Sequence, residues 1–298
     1  MPRDHFVPKA YLRGFVPEYL SGGRGGNLVV YRPSSGNSKR LNINDYVACE
    51  TEFYNNHPID KHWSHTIEQS WPRVRHHLAN RGCEKDQLDE LFWFVSAQYI
   101  RTHSFMRIVA RSISWENRQA KQVSFDGKQA KCVFVDVAKT DDVLEVVQRC
   151  WPELRDILRE NYSWTVYHNR CTRLFLTSDD PCMREPSSGD FMIPIALDMY
   201  LIGQTVPLRS SPATIRHTSA STEMVRKVNQ AAVKGCHSFV YSHEETEQLR
   251  RFVKKHHVEH DVMLAGRGFM NQPEAMTDDT MQRLMVRFET LRRNDNRG

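Results

Sequence analysis

The sequence predicts an α+β fold, mainly helical, with several short antiparallel strands and hairpins packed on a long central helix. Three observations carry this. Apolar residues recur at three- and four-residue steps over 59–81, 85–115 and 141–161, the period of a helix with one buried face. Short apolar segments flank turn-forming residues at Pro33-Ser34-Ser35-Gly36-Asn37 and at Asp126-Gly127, which reads as two hairpins. No internal repeat and no clean linker interrupts the 298 residues, so a single domain over 1–298 is expected.

The chain opens on His5-Phe6-Val7-Pro8-Lys9-Ala10-Tyr11-Leu12-Arg13-Gly14-Phe15. Proline is tolerated in the first turn of a helix, so Pro8 predicts a short helix anchored by Phe6, Tyr11, Leu12 and Phe15, with His5 just ahead of it. A Gly-rich break at 21–26 leads into a hairpin formed by 28–31 and 40–43. The break lacks the Lys-Ser/Thr ending of a phosphate loop and precedes a strand rather than a helix. Pro72 should kink or restart the helix over 59–81. The stretch 85–115 carries Leu88, Leu91, Phe92, Val95, Tyr99, Met106 and Val109 as a wide stripe, and is the expected central helix. Beyond the second hairpin (120–138) and a helix (141–161), strands are expected at 164–168 and 173–177, joined by a tight turn at Asn169-Arg170. The second of these opens into Ser178-Asp179-Asp180-Pro181. A strand segment at 198–205, a helix at 221–234, a short strand at 238–241 and charged helices at 244–257 and 277–293 complete the pattern.

Composition narrows the class. Mean hydropathy is −0.60, no apolar run approaches the roughly 20 residues of a membrane helix, and Arg3, Asp4, His5, Lys9 and Arg13 stand where a signal peptide would be apolar. A cytoplasmic protein without a membrane partner is expected. The cysteines at 49, 83, 132, 150, 171, 182 and 236 are odd in number and never closely paired, against a disulfide framework or a zinc knuckle. Net charge is +5, with 29 arginines against 12 lysines. Arginine forks bind phosphates and carboxylates, so a nucleic acid or nucleotide partner is compatible with the balance.

Four polar clusters interrupt apolar surroundings. His5 and Arg13 form the first. In Glu50-Thr51-Glu52-Phe53-Tyr54, an extended chain would put both carboxylates on one side, suited to a divalent ion or to acid–base work. Gln98 and Arg101, three residues apart, share a helical face beside the apolar stripe, and a buried arginine there needs an anionic partner: Glu52, Glu68, Asp179 or a substrate phosphate. Ser178-Asp179-Asp180-Pro181 offers short acceptors at a strand end, for a metal, a general base or a capped turn. His62, His65 and Glu68, and likewise His256 with His260, have helical metal-ligand spacing, but 14 histidines make such spacings cheap.

Taken in order, His5-Phe6-Val7-Pro8, Tyr11-Leu12-Arg13, Phe15, Glu52-Phe53-Tyr54, Glu68, Gln98, Arg101-Thr102, Phe175-Leu176-Thr177-Ser178-Asp179-Asp180-Pro181, Pro207-Leu208 and Asn229 give a chain that resembles the bacterial domain-of-unknown-function family numbered 4238, over about residues 5–242. The resemblance implies that His5, Arg13, Glu52, Tyr54, Glu68, Gln98, Arg101, Ser178, Asp179, Pro181 and Asn229 are shared positions. Asp180 departs from the Ser-Asp-Asn-Pro more usual there, and a charged extension from about 243 to 298 lies outside.

The expectation is a hydrolase of a phosphodiester, RNA or DNA, or of a nucleotide, in bacterial defence or toxin activity. His5, Glu52, Arg101 and Asp179 would be catalytic, with His5 as acid or base and Arg101 as phosphate clamp. Arg13, Tyr54, Gln98, Ser178 and Asn229 would bind substrate. Glu52, Glu68 and Asp179 would hold a divalent ion such as magnesium or manganese, or orient the histidine. The alternative is a non-catalytic interaction module whose polar set is a structural ion-pair network.

Overall fold

The computed structural model describes residues 3–5, 7–17, 26–44, 49–51, 54, 57–82, 85–102, 105–106, 109, 120–126, 129–134, 140–184, 190–205 and 214–258. The class is α+β, as the periodicity requires.

Strand β1 (Arg3–His5) leads into helix α1 (Lys9–Leu12), whose N-cap is Pro8, and a 3-10 turn (Arg13–Phe15). Of the expected anchors, Tyr11, Leu12 and Phe15 are fully buried, and Phe6 lies outside the described residues. Strands β2 (Asn27–Arg32) and β3 (Asn37–Asn42) form the first hairpin, and Gly36 takes φ 70° in its turn, a conformation glycine reaches without a Cβ penalty. Strand β4 (Cys49–Thr51) returns to pair with β1, His5 opposite Cys49 and Arg3 opposite Thr51.

The 59–81 region is broken as Pro72 demands: α2 (Pro58–His62), a π-helical turn (Trp63–Glu68), then α3 (Trp71–Ala79) with proline at its start. Helix α4 spans Lys85–Ile100, shorter than the 85–115 expected; residues 111–119 lie outside those described. Strands β5 (Ala120–Asp126) and β6 (Gln129–Phe134) form the second hairpin, and α5 runs Thr140–Glu160.

The expected hairpin of 164–168 with 173–177 does not form. Strand β7 (Tyr162–Asn169) ends on Asn169, whose side chain accepts from Cys171 N–H and donates to the Arg173 carbonyl. The chain then leaves that sheet, and only β8 (Thr177–Ser178) is a strand, in another sheet. Strands β9 (Met183–Arg184), β10 (Phe191–Ala196), β11 (Met199–Thr205) and β12 (Ile215–Ala220), helix α6 (Thr222–Gly235), strand β13 (Val240–Ser242) and helix α7 (Glu247–His256) follow. Ser221 and Thr246 cap α6 and α7 through side-chain oxygens that accept from Met224 and Leu249 N–H, the usual device for satisfying a free helix-end donor. The expected helix at 277–293 lies outside the described residues.

Two larger sheets result: β12-β7-β11-β10-β9, antiparallel except for the parallel β12–β7 pair, and β3-β2-β13-β8, antiparallel throughout. Alternation sorts the five-stranded sheet's faces. Trp164, Val166 and Leu201 join the main core with α4 and α5, while Tyr167, Tyr200 and Ile202 pack with α6 through Val225 and Val228. Helix α4 is held to α5 by Trp151, whose indole N–H donates to Ser96 at 2.8 Å and whose ring meets Trp93 at 4.6 Å.

Tyr11 ties these layers together. Its hydroxyl donates to the Pro194 carbonyl on β10 and lies 2.7 Å from the Thr177 hydroxyl on β8, and its ring packs on Phe15, Trp71 and Phe94. The next turn docks as tightly: the Gly14 carbonyl accepts from Leu197 N–H, and a Cβ at Gly14 would stand 2.9 Å from the Ile195 carbonyl oxygen. Tyr11→Phe keeps the ring and strips the hydroxyl, leaving buried groups unpaired, so a loss of about 2 kcal/mol is expected in chemical denaturation, with the denaturant dependence unchanged.

Candidate functional site

The polar residues singled out in the sequence fall into two sets. One is a buried centre on α4. Phe94, Gln98 and Arg101 follow one another at roughly one turn on a single face, and Arg101 N–H closes the last turn on the Ala97 carbonyl at 3.1 Å. Arg101 is 1 % exposed. Its Nε donates to the Tyr54 hydroxyl at 3.1 Å and its Nη1 to Glu68 at 2.8 Å, while the guanidinium carbon lies 5.2 Å from the centre of the Trp63 ring. The π-helical turn supplies both Trp63 and Glu68; such turns shift side-chain register and recur at functional sites.

Burial works against charge on Arg101, but Tyr54 and Glu68 outweigh it and hold the guanidinium protonated. Burial likewise pushes the Tyr54 hydroxyl above the usual tyrosine range, so it stays neutral. Glu68 has an 18 % exposed side chain, giving the ion pair an edge toward solvent. Gln98 is different. Its amide oxygen and nitrogen are both buried, and neither has a partner among the described residues; the indole nitrogens of Trp63 and Trp71 share that condition.

The second set staples the backbone. Asp179 receives N–H donors from His237 at 2.8 Å, Ser238 at 2.6 Å and Phe239 at 3.0 Å, and its own N–H donates to the Phe239 carbonyl. Burial pushes its carboxyl up to about 7 against the pull of these donors. Ser178 donates to the Asp180 carbonyl at 2.7 Å. Asn229 on α6 accepts from Leu176 N–H and donates to the Leu174 carbonyl, both at 2.9 Å. These three side chains therefore spend their polar atoms on the main chain.

The remaining positions are dispersed. Arg13 is exposed at the end of α1. His5 stands on β1 opposite Cys49, so the ladder brings the N-terminal backbone to the segment that runs on to Tyr54; the side chain of His5 and all of Glu52 lie outside the described residues. Glu68 is committed to Arg101 and Asp179 to backbone donors, and no group of three His, Cys, Asp or Glu that could hold a metal exists among the described residues. His62 and His65 are exposed. In the sequence Trp63 and Trp71 are two of the apolar residues that recur over 59–81; the signal for more is that a buried indole N–H needs a partner.

An α+β fold with a buried polar centre packed among aromatic side chains, and strand-end motifs spent on backbone, defines the class of this protein. The chain belongs to the family described as "Protein of unknown function (DUF4238)", whose model matches residues 3–246. No curated protein and no solved structure matches it. Among the described residues, no helix is long and apolar enough to cross a membrane.

Removing the Asp179 carboxylate leaves three backbone donors without their acceptor, so Asp179→Ala should cost about 3 kcal/mol. The pH dependence has a definite sign. The native pKa of about 7 exceeds the roughly 4 of an unfolded aspartate, so between these values the native state holds a proton that the unfolded state lacks. The resulting stability is full below about pH 4 and is lost as pH rises through 7. Denaturant midpoints should fall from about pH 5 to about pH 8, and fall less in Asp179→Asn, which has no titrating proton.

Proposed function

We propose that the α4 centre binds a phosphate-bearing substrate, RNA, DNA or a free nucleotide, and that the protein hydrolyses a phosphoester bond in it, in bacterial defence or toxin activity. The observation that carries this reading is the Gln98 amide, buried at 1 % exposure with both ends unpaired among the described residues. Burying such a group costs about 1–3 kcal/mol, and polar groups that burden stability are characteristic of places where a ligand completes the bonding.

In this reading Gln98 positions the substrate and Arg101, held rigid by Tyr54 and Glu68, stabilises charge developing on phosphate. His5 moves the proton, and Glu52 orients it. Tyr54, Ser178, Asp179 and Asn229 keep the frame in register. A second reading has its own support: the Arg101–Glu68 pair at 2.8 Å already satisfies the guanidinium with an internal carboxylate, which suits an interaction module with a purely architectural ion pair.

One variant series separates the two. If the centre is functional, Gln98→Leu melts higher than wild type while losing hydrolysis of RNA, DNA and nucleotides, or growth inhibition in cells. His5→Ala and Arg101→Lys should each lower turnover by about 100-fold or more with the fold intact. Full activity in His5→Ala and Arg101→Lys would dismiss this site, and a wild type inert toward all these substrates would favour the architectural reading.

A further inference from the structure

A second polar cluster lies away from the α4 centre, where the parallel strands β7 and β12 meet the end of α3. His168 on β7 and His217 on β12 point to the same face of the sheet, since His217 is opposite Val166 and Ser219 opposite His168. Their imidazoles touch, His168 Nε2 lying 3.0 Å from His217 Nδ1, with ring centres 5.3 Å apart. One nitrogen of each ring is used in this contact, and the other remains for a third party.

The charges around the pair are uneven. The guanidinium of Arg81 acts on both histidines and that of Arg170 on His168, against one carboxylate, Asp198, facing His168. Arg81 and Arg170 are exposed, and neither has a carboxylate partner among the described residues. Burial first, then these neighbouring groups, hold both imidazoles below the ordinary histidine range, so both are neutral near pH 7. A positive field around neutral imidazoles disfavours a metal dication and favours an anion.

Arg81 adds an independent observation. It follows the C-terminus of α3 with φ 60°, and is the sole non-glycine residue with positive φ among those described. Its N–H and that of Gly82 close the helix end on the carbonyls of Leu78 and His77. This left-handed position is where helices commonly place glycine. An arginine there carries backbone strain that glycine would relieve, and glycine stands one residue later.

We propose that His168, His217, Arg81 and Arg170 form a binding site for a phosphate-type dianion, free or as a phosphomonoester, at the end of β7. The guanidiniums supply charge and forked donors. The bound dianion offsets the local positive field and draws a proton onto the histidine pair, so binding and protonation are linked. Affinity therefore rises as pH falls.

The test is titration of the whole protein with inorganic phosphate and, separately, with phenyl phosphate, by calorimetry and by imidazole NMR at about pH 6 and about pH 8. Saturable binding is expected at the lower pH, about tenfold or more weaker at the higher one. Tighter binding of phenyl phosphate identifies an ester as the ligand, and equal or weaker binding identifies free phosphate. His217→Ala and Arg81→Gly should each weaken binding by about tenfold or more. Arg81→Gly should also melt at or above the wild-type temperature, because glycine suits that backbone conformation, which separates loss of the site from loss of the fold. Phosphate-induced shifts of the His168 and His217 imidazole signals report this site alone, which keeps the result independent of the α4 centre. No saturation by either anion at the lower pH, or unchanged binding in His217→Ala and Arg81→Gly, would overturn the proposal.

Discussion

The hydroxyl of Tyr11 is the constraint on which the rest of the structure depends. It links the two larger sheets through the N-terminal segment, meeting Thr177 on β8 and the Pro194 carbonyl on β10. Burial raises its pKa well above the tyrosine value, so it remains a neutral donor. Its ring leans on Trp71 and Phe94, which stack at 3.8 Å, and Phe94 is one turn before Gln98 on α4. The short opening segment therefore fixes the relation of both sheets to the helix that carries the buried arginine. Bulk apolar contact alone would tolerate sliding; a hydroxyl shared between two strands of different sheets does not.

The motif residues divide by what consumes their polar atoms. In the strand-end set, Ser178, Asp179 and Asn229 all terminate on backbone groups, so their chemistry is spent inside the fold. In the α4 set, Arg101 is satisfied by side chains and Gln98 by none among the described residues. A polar residue in a family motif is thus not by itself a reactive one. The useful distinction is whether its hydrogen-bonding capacity is exhausted by the protein.

Much of this was legible in the sequence, for identifiable reasons. The helices and both hairpins announced themselves through period and turn chemistry, and the restart at Pro72 through a missing donor. The buried state of Gln98 and Arg101 followed from their place beside an apolar stripe. Other features had no local signal. Residues 173–177 read as a short apolar strand, yet their main chain is bonded by Asn229 from a helix fifty residues on. Strand β10 is nearly all apolar and contains Pro194, whereas β12 has four polar residues in a row between Ile215 and Ala220; neither shows period-two alternation. The partners of Asp179 are backbone donors at 237–239, and main-chain donors leave no trace in residue identity. The two tryptophans were legible as core and illegible as unpaired donors.

The strand order of the four-stranded sheet also governs how the protein emerges during synthesis. Strand β13, at 240–242, lies between β2, at 27–32, and β8, at 177–178. Until the ribosome has delivered residue 242, the β2–β3 hairpin offers an open edge bearing Leu28, Val29 and Val30 to any strand that passes. Non-local pairing of this kind slows folding and lengthens exposure to misassembly. The nascent chain is therefore most exposed to misassembly at this edge between the emergence of β3 and that of β13.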